Sequence, residues 1–306
     1  LLVNDTDPEG DALSIVPGFV TSAGGALVTF NADGSVVYDP NGQFEHLALG
    51  ATTTDTFQYT VSDGNGGTDT ATVNVTITGE NDAPSVFTVL TSVDEDRGTY
   101  HFNVSMADPD MNSVTSVVDW SQSGLGQFVE VGSGRFIFSL GADFQYLGNN
   151  EFAESTLTYR VEDEHGLSSL STHTIRVTGI NDLPTAVYDT YVTPEDVVLT
   201  VADPAYNLLA NDFDHEGPLT VTAGTFTTAN GATLVVDADG NFTYDPASSP
   251  ANRLLRAGSS LTDTFTYTVT DKDGATASAQ ARFVVLGRDH DPVAGDDGIY
   301  LAFENY

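Results

Sequence analysis

One feature limits what this chain can fold into more than any other. A series of acidic landmarks occurs three times in the same order, about 100 residues apart, as in a tandem array of domains. DTFQYTVSDGNGG (55–67), STLTYRVEDEHGL (155–167) and DTFTYTVTDKDGA (263–275) align so that Asp63, Asp163 and Asp271 fall in register. A glycine follows each three residues later, at Gly66, Gly166 and Gly274. Asn81, Asn181 and Asp289 each lie 18 residues beyond those acids and open NDAP, NDLP and DHDP. A second landmark is NDTDPEGD (4–11), ADPDMNS (107–113) and NDFDHEG (211–217). A third is VDED (93–96) and TPED (193–196), continued by AFEN (302–305).

Between landmarks the pattern is that of strands. TFQYTVS places Phe57, Tyr59 and Val61 on one face, and TFTYTVT does the same with Phe265, Tyr267 and Val269. VTFNADGSVVY and LVVDADGNFTY read as hairpins turned at Asp-Gly. No segment has the period of an amphipathic helix. The expectation is all-β: tandem seven-stranded antiparallel Greek-key β-sandwiches in a linear array. The expected boundaries are 1–81, 82–181, 182–289 and 290–306. LLVNDTD (1–7) matches LLANDFD (208–214), which follows two strands, so repeat 1 is expected to lack its first two. Residues 290–306 read as the first strand of a fourth repeat, and the chain as a piece of something longer.

Composition narrows the function. The chain has 44 Asp plus Glu against 9 Lys plus Arg, a formal net charge of −35. That disfavours nucleic acid, whose binding needs cations to displace counterions, and anionic membrane surfaces. No apolar run reaches the length of a membrane span. Cysteine is absent, which removes disulfides and thiolate metal sites. No Ser-His-Asp, G-x-S-x-G or H-E-x-x-H signature appears, so an enzyme is not expected.

The ordered landmarks resemble bacterial cadherin-like tandem repeats, of the type in VCBS proteins and repeat-in-toxin adhesins. The resemblance implies calcium bound between successive domains. It assigns ligand roles to Glu95 and Glu195, to Asp5, Asp7, Asp108, Asp110, Asp212 and Asp214, and to Asp63, Asp163 and Asp271. It extends to the linker residues Asn81, Asp82, Asn181 and Asp182. Asp245 and Asp289 complete the candidate set, with Asp39 as an addition in repeat 1. Two departures stand out. RDHDP puts His290 where the other linkers have Asp, and repeat 2 has FIFSL where the others have VVYDP and FTYDP.

Strand direction brings the acids together independently. With strands alternating down and up, the A–B loop and the exit linker share the bottom of a repeat, while the B–C and F–G loops share the top. Glu95, Asn181 and Asp182 then meet Asp212, Asp214 and Asp271 at one joint. Each close pair of like charges costs about 1 kcal/mol in water, and more where the dielectric is lower. Calcium answers this, because it takes 6–8 oxygens in flexible geometry, whereas magnesium demands an octahedron. Zinc and copper would want more His or Cys.

Each motif alone has a plainer explanation. DGNG is a turn, NDAP a linker, His165 and His215 polar loop filler, and Trp120 core packing in repeat 2. Register across three repeats is what lifts them together. The function expected is a calcium-stiffened extender in an extracellular bacterial adhesin or surface fibre, whose partners are the neighbouring repeats of the same chain. The alternative is a subunit of a surface layer or filament assembled from several copies, with a carbohydrate-binding module behind it.

Overall fold

The fold was analysed in a computed structural model that describes residues 1–31 and 33–289. The fourth-repeat strand, with His290 and Glu304, lies outside the described residues. The chain divides into two compact units, Leu1–Val93 with Arg97–Gly141 and Ala153–Val177, and Asp94–Asp96 with Ala142–Phe152 and the chain from Thr178 onward. Each acidic joint falls inside one unit.

In the first unit, repeat 1 contains β1 (Ser14–Ile15), β2 (Gly18–Thr21), β3 (Leu27–Phe30), β4 (Val36–Asp39), β5 (Thr52–Ser62) and β6 (Thr68–Thr78). They form two sheets, β1-β5-β6 and β2-β3-β4. β3 and β4 pair antiparallel from Leu27↔Asp39 to Phe30↔Val36, the Asp-Gly hairpin expected. Ile15, Val28, Phe30, Phe57 and Tyr59 fill the space between the sheets. Each such side chain contributes about 1.5–3 kcal/mol by leaving water. The threonines that alternate with them suit the outer face of a pleated strand.

Repeat 2 supplies β7 (Val89–Asp94), β8 (Thr99–Asn103), β9 (Ser116–Ser123), β10 (Gln127–Gly132), β11 (Arg135–Ser139), β12 (Phe152–Glu162) and β13 (Ser168–Thr178). The sheets are β7-β13-β12-β9 and β10-β11-β8, seven strands as expected. Trp120 is 37% exposed and meets Phe136 edge-on at 5.6 Å. It closes the sheet edge, which agrees with packing.

In the second unit, repeat 3 contains β14 (Asp189–Pro194), β15 (Leu199–Val201), β16 (Thr220–Val221), β17 (Gly224–Thr227), β18 (Thr233–Val236), β19 (Phe242–Asp245), β20 (Ser260–Thr270) and β21 (Thr276–Leu286). The sheets are β14-β21-β20-β16 and β15-β19-β18-β17. β14 runs parallel to β21, an exception to the antiparallel expectation. The eighth strand arises because the third strand of the sandwich is broken. β16 stays with β20 while β17 crosses to β18. Repeat 1 breaks its strand the same way, at β1 and β2.

Repeats 1 and 3 share a second feature that repeat 2 lacks. Asp55 and Asp263 are buried in β5 and β20. Asp55 accepts the Gly24 N–H at 2.6 Å and the Tyr38 hydroxyl at 2.6 Å. Asp263 accepts the Asn230 N–H at 2.8 Å and the Tyr244 hydroxyl at 2.8 Å. A fully partnered buried carboxylate is tolerated, and an unpartnered one is costly. Repeat 2 has Ser155 at that position, and Phe138 of FIFSL, without a hydroxyl, is fully buried. The FIFSL departure is therefore a matter of core chemistry.

Candidate metal centres at the repeat joints

The loops lie where strand direction puts them. Glu195 sits between β14 and β15, Asp212 and Asp214 between β15 and β16, and Asp271 between β20 and β21. The acid that ends the penultimate strand organises its own turn. Asp63 Oδ1 accepts the N–H groups of Asn65 and Gly67 at 2.7 and 2.9 Å. Asp163 Oδ1 takes those of His165 and Leu167 at 2.8 and 3.0 Å. Asp271 Oδ1 takes those of Asp273, Gly274 and Ala275 at 2.6–2.9 Å. Gly66, Gly166 and Gly274 have φ of +108°, +91° and +96°, which explains the recurring glycine.

The other oxygen of that acid faces the preceding linker. Asn81 Nδ2 donates to Asp163 Oδ2 at 2.8 Å, and Asn181 Nδ2 donates to Asp271 Oδ2 at 2.9 Å. Burial opposes ionisation of Asp163 and of Asp271, but these amides and the loop N–H groups outweigh it and hold both carboxyls below their ordinary value. The amide bond also orients each asparagine, turning Oδ1 away from the acid. Both Asn81 Oδ1 and Asn181 Oδ1 are buried without a hydrogen-bond partner.

In the first joint, the Asp82 N–H donates to Asp110 Oδ2 at 3.0 Å, and the Asp110 N–H to Asp108 Oδ1 at 2.9 Å. Asp108 Oδ2 and Asp110 Oδ1 remain buried and unpartnered. Burial, followed by the charges of Glu45, Asp110, Asp108 and Glu80, pushes the Asp82 carboxyl up. Glu45, Glu80 and Asp82 share a cavity of about 310 Å³ with Pro40 and Leu47. The motifs did not mark Glu45 or Glu80. Glu80 could have been suggested by its place beside Asn81 in the linker, whereas Glu45 lies in the β4–β5 loop and carried no such signal.

In the second joint, Glu95 is 2% exposed and accepts the Ile180 N–H on Oε1 at 2.7 Å. Its Oε2 has no partner, nor do Asp182 Oδ2, Asp212 Oδ2, Asp214 Oδ2 and Glu216 Oε2. Burial is the first cause of the raised Glu95 carboxyl, with the Asp182, Asp96 and Glu216 charges adding to it. Glu216, the acid of HEG in the second landmark, was missed. Its Oε1 accepts the Asp182 N–H, so it stands among the candidates. Its fixed offset from Asp214 was the available signal.

The remaining candidates divide. Glu195 repeats the Glu95 arrangement, accepting the N–H groups of Arg288 at 2.8 Å and Leu255 at 3.1 Å. Asp5 receives the Tyr59 hydroxyl at 2.7 Å, and Asp7 takes the N–H groups of Glu9 and Asp11 at 2.9 and 3.0 Å. Asp7 and Asp63 line one cavity, and Asn65 Nδ2 donates to Asp11 Oδ2 at 2.8 Å beside them. Asp245 accepts the Ala247 N–H at 3.1 Å and caps a short 3-10 turn, and Asp39 accepts that of Asn41 at 2.9 Å. Asp289 is exposed. His165 is 3.9 Å from Glu164, and His215 lies edge-on to Phe213. Among the described residues, no three acid or imidazole groups close around a single point as a ready-made metal cage. The unpartnered oxygens are a mixture of carboxylate and amide, a hard-oxygen set suited to calcium.

The model of the bacterial cadherin-like domain family matches residues 1–79 and 181–287. That of the bacterial Ig domain matches residues 81–178. The two models therefore separate the repeats as the broken strand and the buried carboxylate do. No curated protein matches the chain. Among solved structures, the chain is similar to mouse Cadherin-23 EC22-24, at 17% identity and TM-score 0.43, covering 93% of this chain and 90% of that one. It is similar to mouse Protocadherin-24 EC1-3 at 16% identity and TM-score 0.40, covering 91% and 90%. An EC1-3 structure of a mouse clustered protocadherin gives 16% and 0.46, covering 90% and 89%.

Proposed function

Since the chain belongs to the bacterial cadherin-like domain family, with a bacterial Ig domain between its two cadherin-like segments, we propose that it is an extender of an extracellular bacterial adhesin or surface fibre, stiffened by calcium at its joints. One observation carries this reading. Nine buried carboxylate and amide oxygens without hydrogen-bond partners lie in the joint loops: those of Asn81, Asp108, Asp110, Glu95, Asn181, Asp182, Asp212, Asp214 and Glu216. Buried polar atoms are ordinarily partnered, and acids so placed repel unless a cation intervenes.

Calcium would supply two positive charges and draw on main-chain and water oxygens beyond these side chains. Glu95, Asn181, Asp182, Asp212, Asp214 and Glu216 would hold it at one joint, and Asn81, Asp82, Asp108 and Asp110 at the other. Asp163 and Asp271 position the linker asparagines. An ion held by the exit side of one repeat and the entry loops of the next restrains both, and without it like charges drive the loops apart. No helix among the described residues is long and apolar enough to cross a membrane.

The test is calorimetric titration of the chain with calcium, followed by small-angle scattering in millimolar calcium and in chelator. Extracellular modules of this kind bind at about 10⁻⁴–10⁻³ M. At ten times Kd each site adds about 1.4 kcal/mol of stability. The reading expects heat on titration and a broader distribution of dimensions in chelator. A folded sample with no calcium heat, or a scattering profile indifferent to chelation, rules it out.

A further inference from the structure

Repeat 3 buries two further unpartnered oxygens, of Asp189 and Tyr191, that the joint does not use. β14 opens on Asp189, which is 8% exposed, with Oδ2 unpartnered. Close to it is Asp212, whose Oδ1 receives the Val187 N–H at 2.7 Å and the Tyr267 hydroxyl at 3.3 Å. Asp212 Oδ2 is buried and unpartnered, and so is the Tyr191 hydroxyl two residues along β14 from Asp189. The Tyr267 hydroxyl lies 2.9 Å from Val187 O and 3.3 Å from Asp212 Oδ1, which sets Asp212 against the start of β14, and Asp189 and Tyr191, two residues apart on that strand, share one of its faces. Burial comes first among the causes that raise the Tyr191 hydroxyl, and the charges of both Asp189 and Asp212 follow. Burial, with the Asp212 charge adding to it, also raises the Asp189 carboxyl.

A lone buried acid could be replaced by an apolar residue without loss. Repeat 2 does this. The corresponding strand β7 starts at Val89, with Thr91 at the position of Tyr191. Repeat 3 instead keeps two inward acids beside a hydroxyl, with an oxygen of each left open.

We infer that Asp189 and Asp212, with the Tyr191 hydroxyl oxygen, hold a calcium ion inside repeat 3. Water completes the coordination, since the protein offers fewer than the 6–8 oxygens calcium takes. Asp212 is then shared between this ion and the joint. The inference takes from the proposed function only that calcium is the available ion. Asp189 belongs to no joint, and repeat 2 lacks the site.

Equilibrium dialysis of the intact chain against calcium counts the ions bound. Asp189→Asn keeps the shape and removes a ligand charge, and it should lower the count by one per chain. Asp189→Val, which copies the residue of repeat 2, should do the same, and it serves if the first variant does not fold by circular dichroism. Glu95→Gln touches only the joint and should leave this ion in place. An unchanged count in folded Asp189→Asn and Asp189→Val overturns the inference. If that unchanged count comes with a higher melting temperature, the acids share a proton or a water instead. A loss of one ion with Asp189→Asn, together with no loss from Glu95→Gln or from Asn181→Ala, supports this site and counts against the joints.

Discussion

The two joints assemble similar charge from different loops. Between repeats 1 and 2 stand Glu45, Glu80, Asp82, Asp108, Asp110 and Asp163, and between repeats 2 and 3 stand Glu95, Asp182, Asp212, Asp214, Glu216 and Asp271. Register exposes the exchange. Glu45 aligns with Gln145, Glu80 with Ile180, and Asn112 with Glu216. None of the acids at the first joint aligns with Glu95, and weaker calcium binding is expected there. Glu45 and Glu80 make up the charge, but both are exposed, whereas Glu95 is buried. Exposed charges are screened by water and salt. The buried, unpartnered oxygens number three at the first joint (Asn81, Asp108, Asp110) and six at the second (Glu95, Asn181, Asp182, Asp212, Asp214, Glu216). The ranking therefore stands on burial, and acid count alone would not give it.

The largest test of that ranking is to remove the paired acids from each B–C loop. Asp212→Ala with Asp214→Ala should remove most of the calcium-dependent stability of the second joint. That is about 3 kcal/mol if two sites are lost at ten times Kd. Asp108→Ala with Asp110→Ala should remove less. Differential scanning calorimetry with and without calcium reads both, and equal losses would erase the distinction between the joints.

The exchange of glutamates can be tested next. Glu95→Gln should weaken calcium at the second joint about tenfold, or about 1.4 kcal/mol. Glu45→Gln should weaken the first joint by only a few-fold. Calorimetric titration of each variant reads the affinities. A larger loss from Glu45 would mean that the exposed acid is the better ligand and that burial is not what ranks the joints.

These contrasts show how far the sequence could be read. Loop placement of Glu95, Asp212, Asp214 and Asp271 was legible because it needs only strand direction and a count of strands. The alternation in TFQYTVS and TFTYTVT gave the cores for the same reason. Three things were hidden. Glu216 and Glu45 sit in loops whose path depends on packing. The broken strand of repeats 1 and 3 depends on which sheet a short segment joins, and two-residue pieces such as β1 and β16 carry too little pattern to show it. Asp189 opens a strand, where polarity reads as a surface position, and only the fold shows that it points inward.

The repeats also differ in their response to acid. His173 in β13 is buried, with its ring 4.2 Å from Phe102, Nε2 3.0 Å from Thr91 Oγ1, and Nδ1 unpartnered. Repeats 1 and 3 have Val73 and Ala281 at this register. Burial lowers the His173 pKa. The unfolded chain then takes up the proton more readily than the folded one. Stability is complete above the ordinary value of about 6.5 and falls as pH drops below it. Repeat 2 should lose at most about 1 kcal/mol over the first pH unit below that value, and His173→Val should remove this slope. A slope that persists in the variant assigns the acid response to other groups.

The smallest expected effect concerns Lys272, the only lysine in the chain. It lies 3.2 Å from Asp273 and 3.8 Å from Glu151, so it links the β20–β21 loop of repeat 3 with the β11–β12 loop of repeat 2. At the first joint the same position is Glu164, which instead accepts the Ser113 hydroxyl at 2.9 Å and the Val114 N–H at 2.6 Å within its own repeat. A Cβ on Gly148 would run into Lys272 Nζ, and the first joint has Ala48 there, facing no lysine. The second joint therefore carries a cation of its own and should fall apart less readily in chelator. Partly exposed ion pairs contribute little. Lys272→Glu, which copies the first joint, should lower the chelator melting temperature by about 1–2 °C and less at high salt. In saturating calcium the difference should shrink, because the ion then neutralises the same acids. If the loss is as large in calcium as in chelator, Lys272 acts on repeat 3 itself and does not link the two repeats.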